Sequence, residues 1–278
     1  MNKSTLLTGI VIIGCIVTLL ISYNIYQSRI ESITDQSSSP VKLNPQDKKV
    51  TSKIKEPDKE DASTSSGSIT PEQITTLTAN MSEEVSSVIT SRLQAGEKIQ
   101  MLIIGSSSIE DGTPGYGELM KTNLSEAYGE SIETTTLSFD GTTAALVEEL
   151  ENNLIDWSKD YDVILLEGMN LSNNGNVIVE DAVEHIETVN EKMKQSVKDA
   201  VLVVHPSQPL PNAIYYPTEV ESFKSYLTSR GFSYIDHWSE WPVGNEEEMN
   251  TYLTEESVPN DKGAALWASA LSTFFTGK

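Results

Sequence analysis

MLIIGSSSIEDGTPGYGEL, residues 101–119, begins as a continuous apolar run and ends in a helical pattern. A tight Gly-Ser-Ser-Ser turn separates the two. A short, wholly apolar run closed by a glycine reads as a strand buried on both faces, the signature of a parallel sheet. In open α/β sheets, ligands bind beyond the carboxyl ends of the strands. The stretch therefore decides the fold class and raises a chemical question: is one of these serines a nucleophile, and what would activate it?

The same alternation continues outward from this stretch. Further short runs are TTTLSF (134–139), YDVILLEG (161–168), AVLVVHP (200–206) and FSYIDHW (232–238). Helical patterns fall near 116–128, 142–157, 178–197 and 218–229, and a last helix follows Asn260. Ahead of the first strand, Thr70-Pro71-Glu72-Gln73 carries a capping-box pattern with Pro at the first helical position. Apolar residues from Ile74 to Leu93 then recur at helical spacing, and Gly96 closes the segment. Strand and helix alternating five times predict a doubly wound α/β domain with a five-stranded parallel sheet over residues 70–278.

The chain has 19 Lys+Arg and 41 Asp+Glu, a net charge of −22. Residues 1–69 are nearly neutral, with eight basic and seven acidic side chains; the remainder carries −23. Such a domain repels phosphate backbones, so no nucleic-acid partner is expected. Cys15 is the single cysteine, which excludes an intrachain disulfide and a cysteine-based zinc site. No cofactor or metal site is expected. Glu246-Glu247-Glu248 and Glu255-Glu256 read as solvated acidic surface.

The N-terminus reads as an anchor. Leu6 to Ile21 is almost uninterrupted apolar sequence, preceded by Lys3 and followed by Tyr23 and Tyr26. With its interfacial ends, residues 1–26 meet the ~20 residues that span a ~30 Å hydrocarbon core. A cleaved signal peptide lacks a good small-residue site here, since Tyr23, Asn24 and Ile25 follow Ser22. Ile12-Ile13-Gly14-Cys15 resembles a lipobox, but the following IVTLLISY would leave an apolar mature terminus. The expectation is a single-pass, uncleaved span in a bacterial cell membrane, with the globular part outside. Residues 27–69 are Pro/Ser/Lys-rich, nearly free of aromatics, and read as a disordered linker.

The strand ends carry Gly105-Ser106-Ser107-Ser108, Asp140-Gly141-Thr142, Gly168-Met169-Asn170, His205-Pro206-Ser207 and Asp236-His237. This ordered set resembles the SGNH/GDSL hydrolases, serine esterases on a flavodoxin-like sheet, over roughly residues 99–276. The resemblance puts the nucleophile at Ser107 and oxyanion donors at Gly141 and Asn170. The family's last block, Asp-x-x-His followed by Pro-Asn, falls on Glu255-Glu256-Ser257-Val258-Pro259-Asn260. Three departures stand out. The first-block Asp is Ser106, the Asp after Asn170 is Leu171, and the catalytic His position is Val258.

A serine without a base is a weak nucleophile. His185 reads as a helix-flank residue. His205 and His237 are expected to face the rim at two strand ends, with His237 the better substitute base. A phosphate cradle at GSSSIEDG is disfavoured, because the loop has no Lys and Glu110 and Asp111 follow it. PSQPLPNAIYYP (206–217) reads as a lid or a sugar-binding wall over the expected site, or as a well-packed surface loop. Two functions follow from the resemblance. One is an esterase or acyl-ester hydrolase or transferase at the cell envelope, with the acetyl groups of a cell-wall glycan as a candidate substrate. The other is an inactive descendant that binds an envelope glycan or a protein through the same cleft.

Overall fold

The structure, a computed structural model, describes residues 69–278. The expected anchor over 1–26 and nearly all of the linker over 27–69 lie outside the described residues. Among the described residues, no helix is long and apolar enough to cross a membrane.

Five strands form one sheet: β1 (Ile99–Gly105), β2 (Ile132–Ser138), β3 (Val163–Glu167), β4 (Val201–His205) and β5 (Ser233–Tyr234). Their order is β2-β1-β3-β4-β5, and every pair is parallel. This is the doubly wound arrangement expected from the sequence. The helices are α1 (Pro71–Leu77), α2 (Glu83–Ala95), α3 (Tyr116–Tyr128), α4 (Thr143–Glu151), α5 (Asn170–Asn173), α6 (Val179–Ser196), α7 (Tyr216–Ser229), α8 (Glu246–Met249) and α9 (Asp261–Thr276).

Strand periodicity divides the apolar residues into two cores. Met101, Ile103, Val163, Leu165, Val201 and Val203 face α1, α2, α3 and α9. Their neighbours Leu102, Ile104, Ile164, Leu166, Leu202 and Val204 face α4, α6 and α7. No residue of β3 or β4 is exposed, which is why these strands read as unbroken apolar runs.

Three elements differ from the sequence expectation. The first helical pattern breaks into α1 and α2. Thr70 and Gln73 form the expected capping box, but Thr78 ends that helix and Ser82 precedes a second one with Glu83 and Glu84 in its first turn. The break is tied down by Asn80, which donates to the Thr273 carbonyl at 3.0 Å, and by a 2.6 Å Ser82–Ser233 hydroxyl pair. The helix expected over 142–157 stops at Glu151, because Asn153 adopts a left-handed conformation. The fifth strand is short. After the Ile235 N–H bonds the Val204 carbonyl, the chain coils into a 3₁₀ turn over His237–Glu240. His237 therefore does not end a strand.

Gly105 closes β1 because nothing larger fits. A Cβ there would overlap the Tyr116 hydroxyl and come within 3.0 Å of Ile109. Gly105→Ala is expected to cost about 1–3 kcal/mol through overpacking. Urea denaturation would show this as a lower midpoint with an unchanged slope.

Candidate active site

Strand order places the site. β1 lies between β2 and β3, so the loops leaving β1 and β3 part on either side of a crevice. Strands lie ~5 Å apart, so groups leaving β1, β2 and β3 fall within about 10 Å of one another. Ser107, Gly141 and Asn170 leave these three neighbouring parallel strands at the same end.

From β1 the chain passes through Ser106 into a 3₁₀ turn, Ser107–Ile109. Ile109 is buried in the core and pins the turn, while Ser107 is exposed. The Ser107 hydroxyl makes no side-chain hydrogen bond among the described residues. From β2, the Phe139 N–H bonds the Gly105 carbonyl at 2.8 Å, extending the pairing by one residue. Gly141 then crosses the Phe139 ring so closely that a Cβ would approach it to 2.8 Å. Thr142 caps α4 by accepting from the Ala145 N–H.

From β3, Gly168 passes under Phe223, where a Cβ would meet the ring at 2.5 Å. Met169 is buried with a left-handed φ of 50°, a conformation costly for a side-chain-bearing residue and common at functional turns. This turn delivers Asn170 to the start of α5. Asn170 Oδ1 accepts from the Ser207 N–H at 3.2 Å. That bond fixes the amide orientation and leaves Nδ2, a pure donor, without a protein partner among the described residues.

Beneath these arms lies a carboxylate that the sequence reading did not single out. Glu167, the last residue of β3, is wholly buried. Its Oε2 accepts from the Ser106 N–H at 2.8 Å, the Ser106 hydroxyl at 3.0 Å and the Tyr116 hydroxyl at 3.3 Å. Its Oε1 accepts from the Ser207 hydroxyl at 2.5 Å. Burial raises its carboxyl above the ordinary carboxylate value, and the four donors pull it down. The signal was present in the sequence: a Glu closing a strand apolar on both faces must find partners.

The histidines do not face Ser107 as expected. His237 is buried and both ring nitrogens are engaged. Nδ1 accepts from the Trp241 indole N–H at 3.0 Å, so Nε2 carries the proton and donates to the Pro206 carbonyl at 2.8 Å. Its ring stacks on Trp267 at 4.8 Å. The expectation that His237 is a rim-facing base is thus corrected. The cause is that β5 ends early and turns this ring into the aromatic layer. His205 is also buried, with Nδ1 donating to the same Pro206 carbonyl at 3.0 Å. Its Nε2 has no partner among the described residues, and its ring meets Tyr116, Trp267 and His237 edge-on. His185 is half-buried on α6 and bonds Thr143 Oγ1 through Nδ1 at 3.0 Å.

The loop that would carry the base keeps a defined shape. Leu253 and Pro259 form a bridge, and the Thr254 N–H bonds the Val258 carbonyl at 2.8 Å. Gln208 donates to the Ser257 carbonyl at 3.3 Å, and Asn260 caps α9. Glu255 is exposed. Next to the serine turn, a cavity of about 350 Å³ opens between Ile109, Pro114, Gly117 and Ser138. Among the described residues, no group of His, Cys, Asp and Glu is arranged to hold a metal ion.

No protein-family model matches the sequence, and no curated protein matches it. Solved structures do match. The lipase Lip_vut3 from a goat rumen metagenome aligns with a TM-score of 0.53 at 17% identity, covering 65% of this chain and 99% of the lipase. A protein from Parabacteroides merdae, named for its likeness to GDSL lipases, aligns at 0.51 with 14% identity, over 65% and 96%. A carbohydrate esterase of family 3 from Talaromyces cellulolyticus aligns at 0.50 with 12% identity, over 63% and 94%. The domain has the SGNH/GDSL hydrolase fold.

The buried imidazoles set an acid limit on stability. Burial holds His205 well below the ordinary histidine value of 6.5 and lowers His237 to about 3. Both rings stay neutral when folded, whereas the unfolded chain takes up protons below pH 6.5. Their contribution is therefore complete above pH 6.5 and is lost as pH falls toward 3, by up to about 1.4 kcal/mol per pH unit for each ring. Glu167, raised when folded, works in the opposite sense. His237→Gln can still accept from Trp241 and donate to Pro206. Urea midpoints from pH 7.5 to 4.5 should fall less steeply for this variant than for the parent chain.

Proposed function

We propose that this domain is an SGNH-type acyl-ester hydrolase or transferase, working slowly through Ser107 because no histidine serves it as a base. Ser107 Oγ attacks the ester carbonyl carbon, and the carbonyl oxygen takes the charge. The Gly141 N–H and Asn170 Nδ2 donate to that oxyanion. The alkoxide then leaves and takes up the proton given up by Ser107, directly or through water. A second alcohol or water releases the acyl group. The single observation behind this reading is the Asn170 amide. Its oxygen is held by the Ser207 N–H, so its NH₂ is the group left to face a substrate, one strand from a free, exposed serine.

The magnitudes fit slow chemistry. An oxyanion hole and binding contacts without a triad retain about 10³–10⁴-fold over water, whereas a positioned general base adds typically 10²–10⁴-fold. A binding domain without turnover is the second function that fits, and Val258 at the base position favours it. We further propose that residues 1–26 hold the domain at the outer face of a bacterial membrane. The support is the apolar run from Leu6 to Ile21. The substrate would then be an ester of the cell envelope, such as an acetylated wall glycan.

The test uses the full chain in detergent, with a fluorophosphonate probe and p-nitrophenyl acetate. Slow labelling that disappears in Ser107→Ala is expected. Val258→His should raise turnover by about 10²-fold or more, because the bridged loop already holds the position and Glu255 lies three residues before it. No labelling of folded protein, and no gain from Val258→His, would leave the binding domain as the function.

A further inference from the structure

The resembled first block carries a carboxylate on the nucleophile turn, where this chain has Ser106. A carboxylate nevertheless bonds this turn, from the neighbouring strand. Ser106 donates to Glu167 through both its N–H and its hydroxyl, so the acid sits directly behind the residue preceding Ser107. The other oxygen of Glu167 takes the Ser207 hydroxyl. Ser207 is the residue whose N–H orients Asn170, and its hydroxyl also lies 3.4 Å from the Leu171 N–H.

We infer that Glu167 is a positioning residue whose carboxylate has taken over, from β3, the place of the missing acid at position 106. It holds the nucleophile turn and the oxyanion amide in one register. Both arms hang from it: Ser106 and hence Ser107 on one side, Ser207 and hence Asn170 on the other. This role rests on the proposed reaction at Ser107, but the hydrogen bonds that carry it do not. Buried polar networks behave as units, so losing the shared acceptor loosens both arms together. A misplacement of about 1 Å at reacting groups costs on the order of 10²-fold in rate.

Relocating the charge tests this. Glu167→Gln preserves shape: its oxygen can still accept from Ser106, but the NH₂ that replaces one carboxylate oxygen cannot accept the Ser207 hydroxyl proton. It removes the acceptor shared by the two arms without opening a cavity. Ser106→Asp alone places two carboxylates within hydrogen-bond reach, which is unfavourable. Combined with Glu167→Gln, it leaves a single carboxylate in the pair, now on position 106 and facing an amide at 167.

The expected pattern is reciprocal. Each single variant labels with fluorophosphonate about 10²-fold more slowly than the parent chain, and the double variant recovers at least tenfold over either. A role in fold stability alone would give no such recovery in labelling at matched folded fraction. A second readout needs no reactivity. Amide NMR of the full chain in detergent should show Glu167→Gln moving both the Ser106 N–H and the Asn170 side-chain resonances, with return toward the parent positions in the double variant. If the parent chain is not labelled but these resonances respond and recover, the hydrolase proposal fails and the positioning role stands. If Glu167→Gln labels at the parent rate, or if the Ser106 and Asn170 resonances do not respond, the positioning role is wrong.

Discussion

β1, β3 and β4 are apolar on both sides, and that constraint orders everything else in the domain. A strand buried on both faces needs helices above and below it, and parallel strands need crossover connections to supply them. The result is two cores separated by one sheet, with alternate residues of each strand assigned to opposite sides. Parallel strands also send every carboxyl end to the same edge. The strand order then opens a crevice beside β1, and Ser107, Gly141 and Asn170 reach it as the next residues available after three neighbouring strands. The site is a consequence of how the sheet is covered.

The same burial imposes a cost wherever a polar group is kept. Glu167 terminates a strand that has no exposed residue, and four donors compensate it. The histidines show the alternative outcome. His205 and His237 keep their imidazoles neutral within a layer built from Tyr116, Trp267 and Trp241, where Tyr116 stacks on Trp267 at 4.2 Å and His237 stacks on the same indole at 4.8 Å. A histidine used as packing is poorly suited to act as a base. Its lone pair is committed or sealed off, and charging the ring would break the layer. The chain thus holds two imidazoles near the carboxyl ends of β4 and β5, yet neither offers a free nitrogen to Ser107.

Much of this was legible in the sequence, and the exceptions have physical causes. β1, β3 and β4 appeared because both-face burial writes unbroken apolar runs, and Ser107 and Asn170 follow two of them, whereas Gly141 follows β2, which is only partly buried. α3, α6, α7 and α9 agreed with their patterns to within two residues because each carries one apolar face. The break between α1 and α2 was hidden: Met81 and Val85 continue the helical spacing across it, and the side-chain bonds of Asn80 and Ser82 that fix it lie about 190 and 150 residues away. The orientation of His237 was likewise set by tertiary contacts. FSYIDHW alternates well enough to be a strand, but β4 pairs with only two of its residues. Glu167 was visible as a lone acid in an apolar run, yet its partners Ser106, Tyr116 and Ser207 come from three separate segments.

Charge narrows the ligand from another direction. Residues 70–278 carry −23, and Glu110 and Glu118 line the cavity beside the serine turn. An anionic polymer approaching the strand ends meets repulsion from this net negative charge. The negative field also works against the oxyanion that Gly141 and Asn170 would stabilise, which places more of the burden on well-aimed donors than on net electrostatics. On the proposed reaction, a neutral or cationic ester would suit such a cleft, because it approaches without penalty and would develop charge only at the carbonyl oxygen. Fixed orientation of those donors therefore matters more here than in a basic pocket, which is the physical reason for tying both arms of the site to a single buried acceptor.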